Sequence, residues 1–325
     1  MNTTTNVVHP VGVYYTRYML TAAQPLLTYT NYAQVSQDIP QGYSDTIKFR
    51  RWELLNPATT ALEEGLTPDG SNMTYNDITA SVDWYGDFVT ITDVLKIEVA
   101  EPSLEQIAAK QGQQMARTLD TLTRDVLAAT TTIQYASSAT QNSEITSAMV
   151  LTTAELKEAE LTLLNANAQE LRSAIAATPN YDTYGIPACF VGICHTNVAY
   201  DLETESDSTS KFIPVHKYPA QIMLLPGEFG SVGKIRLVRT TDGKYLAGVG
   251  DSNINVYVTV ILAAEAYGTT QISGATARQI IKQLGSAGSA DPLDQRATQG
   301  WKIPFVAKIL NNNFMVGIRS SSSQG

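Results

Sequence analysis

The sequence predicts an α+β fold, and three observations carry that reading. Strand-type runs and amphipathic helical runs are segregated along the chain; they do not alternate as βαβ units. Two of the strand runs, "ACFVGICH" and "INVYVTVILAAEAYG", are apolar on both faces, as in central strands covered on two sides. Hydrophobic residues make up 43% of the 325 residues and charged ones 16%, enough for a sizeable core under a charge-poor surface.

Residues 1–45 are rich in Thr, Tyr, Asn and Gln and show weak periodicity. They read as an extended arm with a short helix around "VYYTRYMLTAAQPLL". An arm of that length needs a surface to lie on, and a neighbouring copy of the chain is a candidate.

Residues 46–99 read as two strands around a long polar tip. "TIKFRRWEL" changes phase at Arg50–Arg51. In the second run Ile78, Val82, Trp84 and Phe88 share one parity, while Val89, Ile91, Leu95, Ile97 and Val99 take the other. Each change predicts a bulge or a switch of buried face. A lone hairpin is marginally stable in water, so this one needs a partner surface.

The clearest element follows. Leu104, Ala108, Met115, Leu119, Leu122 and Val126 recur at helical spacing, and Ser103 with Gln106 reads as a capping box. A helix over 103–129 is about 40 Å long at 1.5 Å per residue. "TTAELKEAELTLLNANAQEL" predicts a second helix with Thr153 as its cap. Then come the strand "ACFVGICH", a short helix "TNVAYDLETE", a strand ending in a turn at Asp242–Gly243, and the central strand "INVYVTVILAAEAYG". "WKIPFVAKIL" and "FMVGIRS" read as strands joined by "NNN", and "SSSSQG" as a disordered end.

The net charge of −9 disfavours tight general binding of DNA or RNA. The N-terminus has no basic start followed by an apolar run, so no secretory signal is expected. No stretch reaches the roughly 18 apolar residues of a membrane span, so no membrane partner is expected. Cys189 and Cys194 are five residues apart on one strand. They point to opposite faces and read as two buried thiols without a mutual disulfide.

Motifs for chemistry fail one by one. In "GEFGSVGKI" five residues separate Gly227 from Gly233, and Ile235 stands where a phosphate loop needs a hydroxyl. "GVGDSN" lacks a third glycine and reads as a turn. His9, His195 and His216 have no partner at metal spacing apart from Cys194, which lies on the opposite strand face from His195. A histidine that ends a strand and caps a helix is the better reading of His195. There is no Gly-x-Ser-x-Gly elbow. Catalytic, cofactor and metal residues are therefore expected to be none.

Several blocks in order resemble one known family. "FRRWELLNPATTALEEGLTPDG", "DWYGDFVTITDVLKI", "QMARTLDTLTRDVL", "KYPAQIMLLPGEFGSVGKIRLVRT" and "AYGTTQISG…DPLDQRATQGWKIPFVAKIL" look like the major capsid proteins of tailed bacteriophages, in the N-four-like group. The resemblance implies the Hong Kong 97-type capsid fold. It divides the chain into an N-terminal arm (1–45), an extended β-hairpin loop (46–100) and a peripheral domain with a spine helix (101–150). A mostly axial domain (151–252) and a return to the peripheral domain (253–325) follow.

The resemblance also implies a non-enzymatic protein of the virion, assembled in the host bacterial cytoplasm. Its partners would be copies of itself, as hexamers and pentamers in an icosahedral shell. Scaffold, portal and decoration proteins and enclosed, loosely held double-stranded DNA would complete the set. A cellular nanocompartment shell of the same fold, or an enzyme with an unrecognised site, are the alternatives.

The residues expected to face other subunits are Arg50, Arg51 and Trp52 in "KFRRW", Glu63 and Glu64 at the hairpin tip, and Asp291, Asp294, Arg296 and Trp301 in "ADPLDQRATQGWK". The basic cluster would meet carboxylates of a neighbour, with nucleic acid second. Asp291, Asp294 and Arg296 would form local or intersubunit ion pairs, and Trp301 would anchor the last strands.

Overall fold

A computed structural model describes residues 27–35, 39–40, 42, 44–53, 55–61, 65, 67, 70–93, 103–172, 188–205, 211–218, 224–270, 272, 277–286 and 291–324. Nearly all of the expected arm helix, the run 94–99 and the side chain of Ser103 lie outside them, as do Glu63 and Glu64.

In chain order the strands and helices are β1 (Gln34–Val35), β2 (Thr46–Trp52), β3 (Tyr75–Ser81), β4 (Asp83–Thr92), α1 (Ser103–Ala128), β5 (Ile133–Tyr135), α2 (Thr153–Asn165), β6 (Phe190–His195), α3 (Thr196–Thr204), β7 (Phe212–Pro214), β8 (Glu228–Val232), β9 (Ile235–Thr240), β10 (Tyr245–Leu246), β11 (Val256–Leu262), β12 (Tyr267–Thr270), β13 (Arg278–Lys282), β14 (Arg296–Ile309) and β15 (Met315–Ser320). They form three sheets. One has five strands in the order β1-β12-β14-β13, with β4 also on β14. A mixed sheet of eight runs β5-β15-β11-β6-β9-β8-β7, with β10 on β11. The hairpin β2–β3 stands apart.

The long helix joins the two larger sheets. Met115, Ala116 and Leu119 pack on Trp301, Ile303, Phe305 and Ala307 of β14. One turn beyond Thr123, Leu127 and Ala128 enter a second core with Val191, Ile193, Val258, Val260 and Leu262 of the eight-stranded sheet. The opposite face of that sheet is covered by Leu156, Ala159 and Leu163 of α2 and Val198, Ala199 and Leu202 of α3. Both faces of β11 are thus covered, and all seven of its residues are buried, as its apolar sequence requires.

Neither expected phase change is a bulge. β2 pairs with β3 in unbroken register from Thr46↔Ser81 to Trp52↔Tyr75. Trp52 simply takes the exposed face with Arg50, while Arg51 shares the face of Ile47 and Phe49. β4 is equally regular against β14. The real break is at buried Val82, whose N–H donates to the Asp45 carbonyl at 2.8 Å. Before Val82 the chain pairs with β2; after it the chain pairs with β14.

Three further expectations need correction. The cap of α2 is Thr152, one residue early, because Glu155 then stands at the third helical position and accepts from the Thr152 N–H at 2.9 Å. The sheets do not divide the chain at residue 253: β11 and β15 belong with β6, β8 and β9, and only β12, β13 and β14 join β4. The serine tail is ordered. Ser320, Ser321 and Ser322 are buried, Ser321 donates to the Met149 carbonyl at 2.8 Å, and Asp201 accepts from the Ser323 N–H at 3.1 Å. The segment is held by backbone bonds to residues far along the chain, so composition alone misleads there.

Candidate assembly surfaces

The part of the arm that is described lies on its own chain. Tyr29 and Tyr32 are buried, and the Asp120 carboxylate of α1 accepts from the Thr28 and Thr30 N–H groups at 3.0 and 3.1 Å. β1 adds to β12 in parallel. Burial raises the Asp120 pKa, against those hydrogen bonds.

The hairpin carries the basic cluster. Arg50 makes a bidentate pair with Asp77 across the strands, Nε to Oδ1 at 2.8 Å and Nη2 to Oδ2 at 3.0 Å. Its guanidinium also lies 4.2 Å from the Tyr75 ring centroid. Trp52 meets Tyr75 edge-on with centroids 5.4 Å apart and is 54% exposed. Arg51 stands opposite Asn76. Arg50 is therefore held within its own hairpin, while Trp52, Leu55, Met73 and Tyr75 are each more than half exposed.

The C-terminal loop behaves differently. Asp291 is buried, and its Oδ2 accepts from the Arg296 N–H at 2.8 Å with the Arg296 Nε at 3.7 Å. This ion pair is local and shapes the turn into β14. Asp294 sits at the turn with φ of 52° and is exposed. Trp301 is turned inward: it is 4% exposed, packs on α1, and donates from Nε1 to Gln114 Oε1 at 3.2 Å. As a contact to a neighbour it is corrected, since its surface is already covered within the chain.

The other face of the same sheet is open. Trp84 and Phe88 of β4 and Ile280 of β13 are 51%, 66% and 40% exposed. Between them runs a groove of 360 Å³ floored by Gly86 and Gly300. A Cβ on Gly300 would come within 2.9 Å of Phe88 Cβ and the Asp87 carbonyl, so only glycine keeps this floor flat. Lys302 crosses the groove with its Nζ 4.5 Å from the Trp84 centroid. The sequence signal for this face was the parity of Trp84 and Phe88 against Ile91, which places large apolar groups on both sides of one strand.

The groups with chemical potential are structural. His195 ends β6 and caps α3, its Nδ1 accepting from the Asn197 N–H at 3.1 Å, and burial lowers its pKa. Burial pushes the thiols of Cys189 and Cys194 up to about 11 and about 12, which makes both inert as nucleophiles. Arg236 and Glu228 form a buried ion pair, Arg236 Nε donating to Glu228 Oε1 at 2.7 Å. No group of three His, Cys, Asp or Glu side chains placed to hold a metal occurs among the described residues. No helix among the described residues is long and apolar enough to cross a membrane.

A long helix bridging two sheets, a detached hairpin and a sheet face left open define the Hong Kong 97-type capsid fold. The capsid subunit of Ralstonia phage GP4 superposes with a TM-score of 0.70 at 10% identity, covering 91% of this chain and 88% of that one. That of cyanophage Pam1 gives 0.66 at 13% identity, covering 94% and 93%. An encapsulin from Synechococcus elongatus aligns less closely, at 0.52 and 8% identity over 78% and 79%. The profile of the family described as phage capsid protein matches residues 75–310, and the chain belongs to that family of structural proteins. The major capsid protein of Pseudomonas phage KPP21 is 24% identical over an alignment 202 positions long that covers 57% of this chain and 51% of that protein. The chain thus spans about half the length of the curated relative it matches.

Proposed function

We propose that this chain is the major capsid protein of a tailed phage of the N-four-like group. It self-assembles as hexamers and pentamers into an icosahedral shell around packaged double-stranded DNA. The family match over 75–310 carries this reading, and capsid subunits that superpose over nearly their whole length support it. Residues 1–45 are the arm, β2–β3 the extended loop, α1 the spine helix, β4 with β12–β14 the peripheral layer, and the eight-stranded sheet with α2 and α3 the axial layer. Scaffold, portal and decoration proteins are its partners in assembly, which takes place in the host bacterial cytoplasm. The chain works by burial of surface between copies and performs no catalysis.

The charge supports a container. A net charge of −9 spares DNA the sticky wall that would impede its sliding during packaging. The nanocompartment reading is weaker because the encapsulin match is the poorer one. Negative-stain electron microscopy of the purified chain tests the proposal. Shells or ring-shaped capsomers are expected, and a monomer that never assembles overturns it.

A further inference from the structure

We infer that the outward face of α1 carries the phosphate backbone of duplex DNA, in a groove between that helix and the turn at Thr241–Asp242. This rests on the shell reading, which encloses DNA, and names where the chain touches it. The groove has a volume of about 870 Å³, and Lys110, Gln114, Arg117, Thr118 and Thr121 line its helix side.

Helix periodicity makes the stripe. Lys110, Arg117 and Arg124 stand seven residues apart, so they share one side of α1 and lie about 10.5 Å apart along its axis at 1.5 Å per residue. Met115, Ala116 and Leu119 point the other way, into β14. Between Gln106 and Arg124 the only carboxylate is Asp120, and it is buried against the arm. The stripe is therefore cationic and rich in donors within a chain of net charge −9.

Carboxylates reach the stripe from its borders. Arg117 Nη2 donates to Asp242 Oδ1 at 3.1 Å, Gln114 Nε2 donates to Asp87, and Asp125 is shared by Arg124 and Lys244, each at 3.0 Å. The Arg117 and Asp242 side chains are 63% and 38% exposed. Exposed pairs of this kind are weak, so a phosphate can replace Asp242 on Arg117. Arg124 Nη1 donates to the Asp242 carbonyl at 2.9 Å and holds the far wall of the groove in place.

The lining selects the occupant. A protein partner would need an apolar anchor to bury, and Leu122 is the one large apolar side chain lining the groove among the described residues. Lys, Arg, Gln and Thr are side chains that contact nucleic-acid phosphates. The spacing agrees: 10.5 Å is about three base pairs at about 3.4 Å of rise each, so a helix lying along a duplex offers one cation every three pairs. Three such contacts make a salt-labile hold that lets the duplex slide.

A fluorescein-labelled duplex of about 30 base pairs, titrated with the unassembled full chain and followed by anisotropy, tests this. Three phosphate contacts at a slope of about −0.9 each weaken binding about 500-fold for a tenfold rise in salt. Lys110→Gln with Arg117→Gln and Arg124→Gln is expected to weaken low-salt binding at least about tenfold and to flatten that slope. Arg278→Gln with Lys282→Gln and Lys302→Gln removes the same charge from the open sheet face and is expected to stay within about twofold. Circular dichroism checks each fold.

No binding by wild type, or equal losses in the two triple variants, overturns the assignment. So does a polyglutamate peptide that binds more tightly than the duplex at every salt concentration, since the groove then belongs to an acidic protein segment. Should the first triple variant misfold, Lys110→Glu decides, because Lys110 Nζ meets Gln113 Oε1 at 3.4 Å and no carboxylate among the described residues; an affinity equal to wild type refutes the contact. Shells from wild type beside unaltered duplex binding by the first triple variant refute this contact alone and leave the capsid reading intact. Absence of shells overturns the capsid reading itself.

Discussion

Trp84 and Trp301 lie on opposite faces of one sheet, and replacing each by alanine separates stability from assembly. Trp301 is 4% exposed and lies between β14 and α1. An indole buries roughly 200 Å², worth about 5 kcal/mol at about 25 cal/mol per Å² as an upper bound. Buried Trp→Ala changes fall in the range of about 3–5 kcal/mol, so Trp301→Ala is expected to cost about 4 kcal/mol. Trp84 on the open face of the same sheet is 51% exposed, so the same arithmetic gives about half that value for Trp84→Ala. Urea unfolding of unassembled subunits measures both. A variant with Trp52→Phe and Trp84→Phe isolates Trp301, whose fluorescence is expected to be blue-shifted and poorly quenched by acrylamide. Assembly inverts the order: Trp84→Ala loses shells while its subunit stays folded. Equal destabilisation by Trp301→Ala and Trp84→Ala would refute the two-faced account of this sheet.

Three more outcomes are expected. His195 must be neutral for Nδ1 to cap α3, and its folded pKa lies below the ordinary histidine value. Its contribution is therefore present at neutral pH and lost as pH falls through the folded pKa; His195→Asn, which caps without titrating, is expected to flatten the fall in melting temperature between pH 7 and pH 5. Arg236→Met leaves Glu228 buried and unpaired and is expected to cost about 3–5 kcal/mol, whereas adding Glu228→Leu recovers most of it in thermal unfolding. Asp120→Ala removes the acceptor of two arm amides and is expected to cost about 2 kcal/mol, with faster hydrogen exchange at 28–32 and no change in β6.

Local pattern was enough for the helices and most strands. Apolar spacing from Ala108 to Val126 located α1, and the position of His195 between an apolar strand and a helix disclosed its capping role. What the pattern did not carry was partnership at a distance. Nothing local distinguishes Val256–Leu262, which pairs with β6, from Tyr267–Thr270, which pairs with β14. The phase changes at Arg50 and Phe88 read as bulges or switches of buried face because alternation assumes one wet face. Here Trp52, Trp84 and Phe88 are apolar groups on faces that the single chain leaves open, so the rule fails there. The serine tail was missed for the converse reason, since its burial depends on Asp201 and Met149, 122 and 172 positions away by residue number.

β14 has a mechanical consequence. It is 14 residues long, about 46 Å at about 3.3 Å per residue, and β4 runs antiparallel to it over residues 83–92. The hairpin leaves from the Asp83 end of β4, so the component of a pull on the hairpin that runs along β4 acts on this ladder. That geometry loads the ladder in shear. Every rung from Arg296↔Thr92 to Phe305↔Asp83 shares the force, and none can peel open ahead of the rest. Along that axis the chain resists stretching by the strength of many rungs together, as a lap joint does.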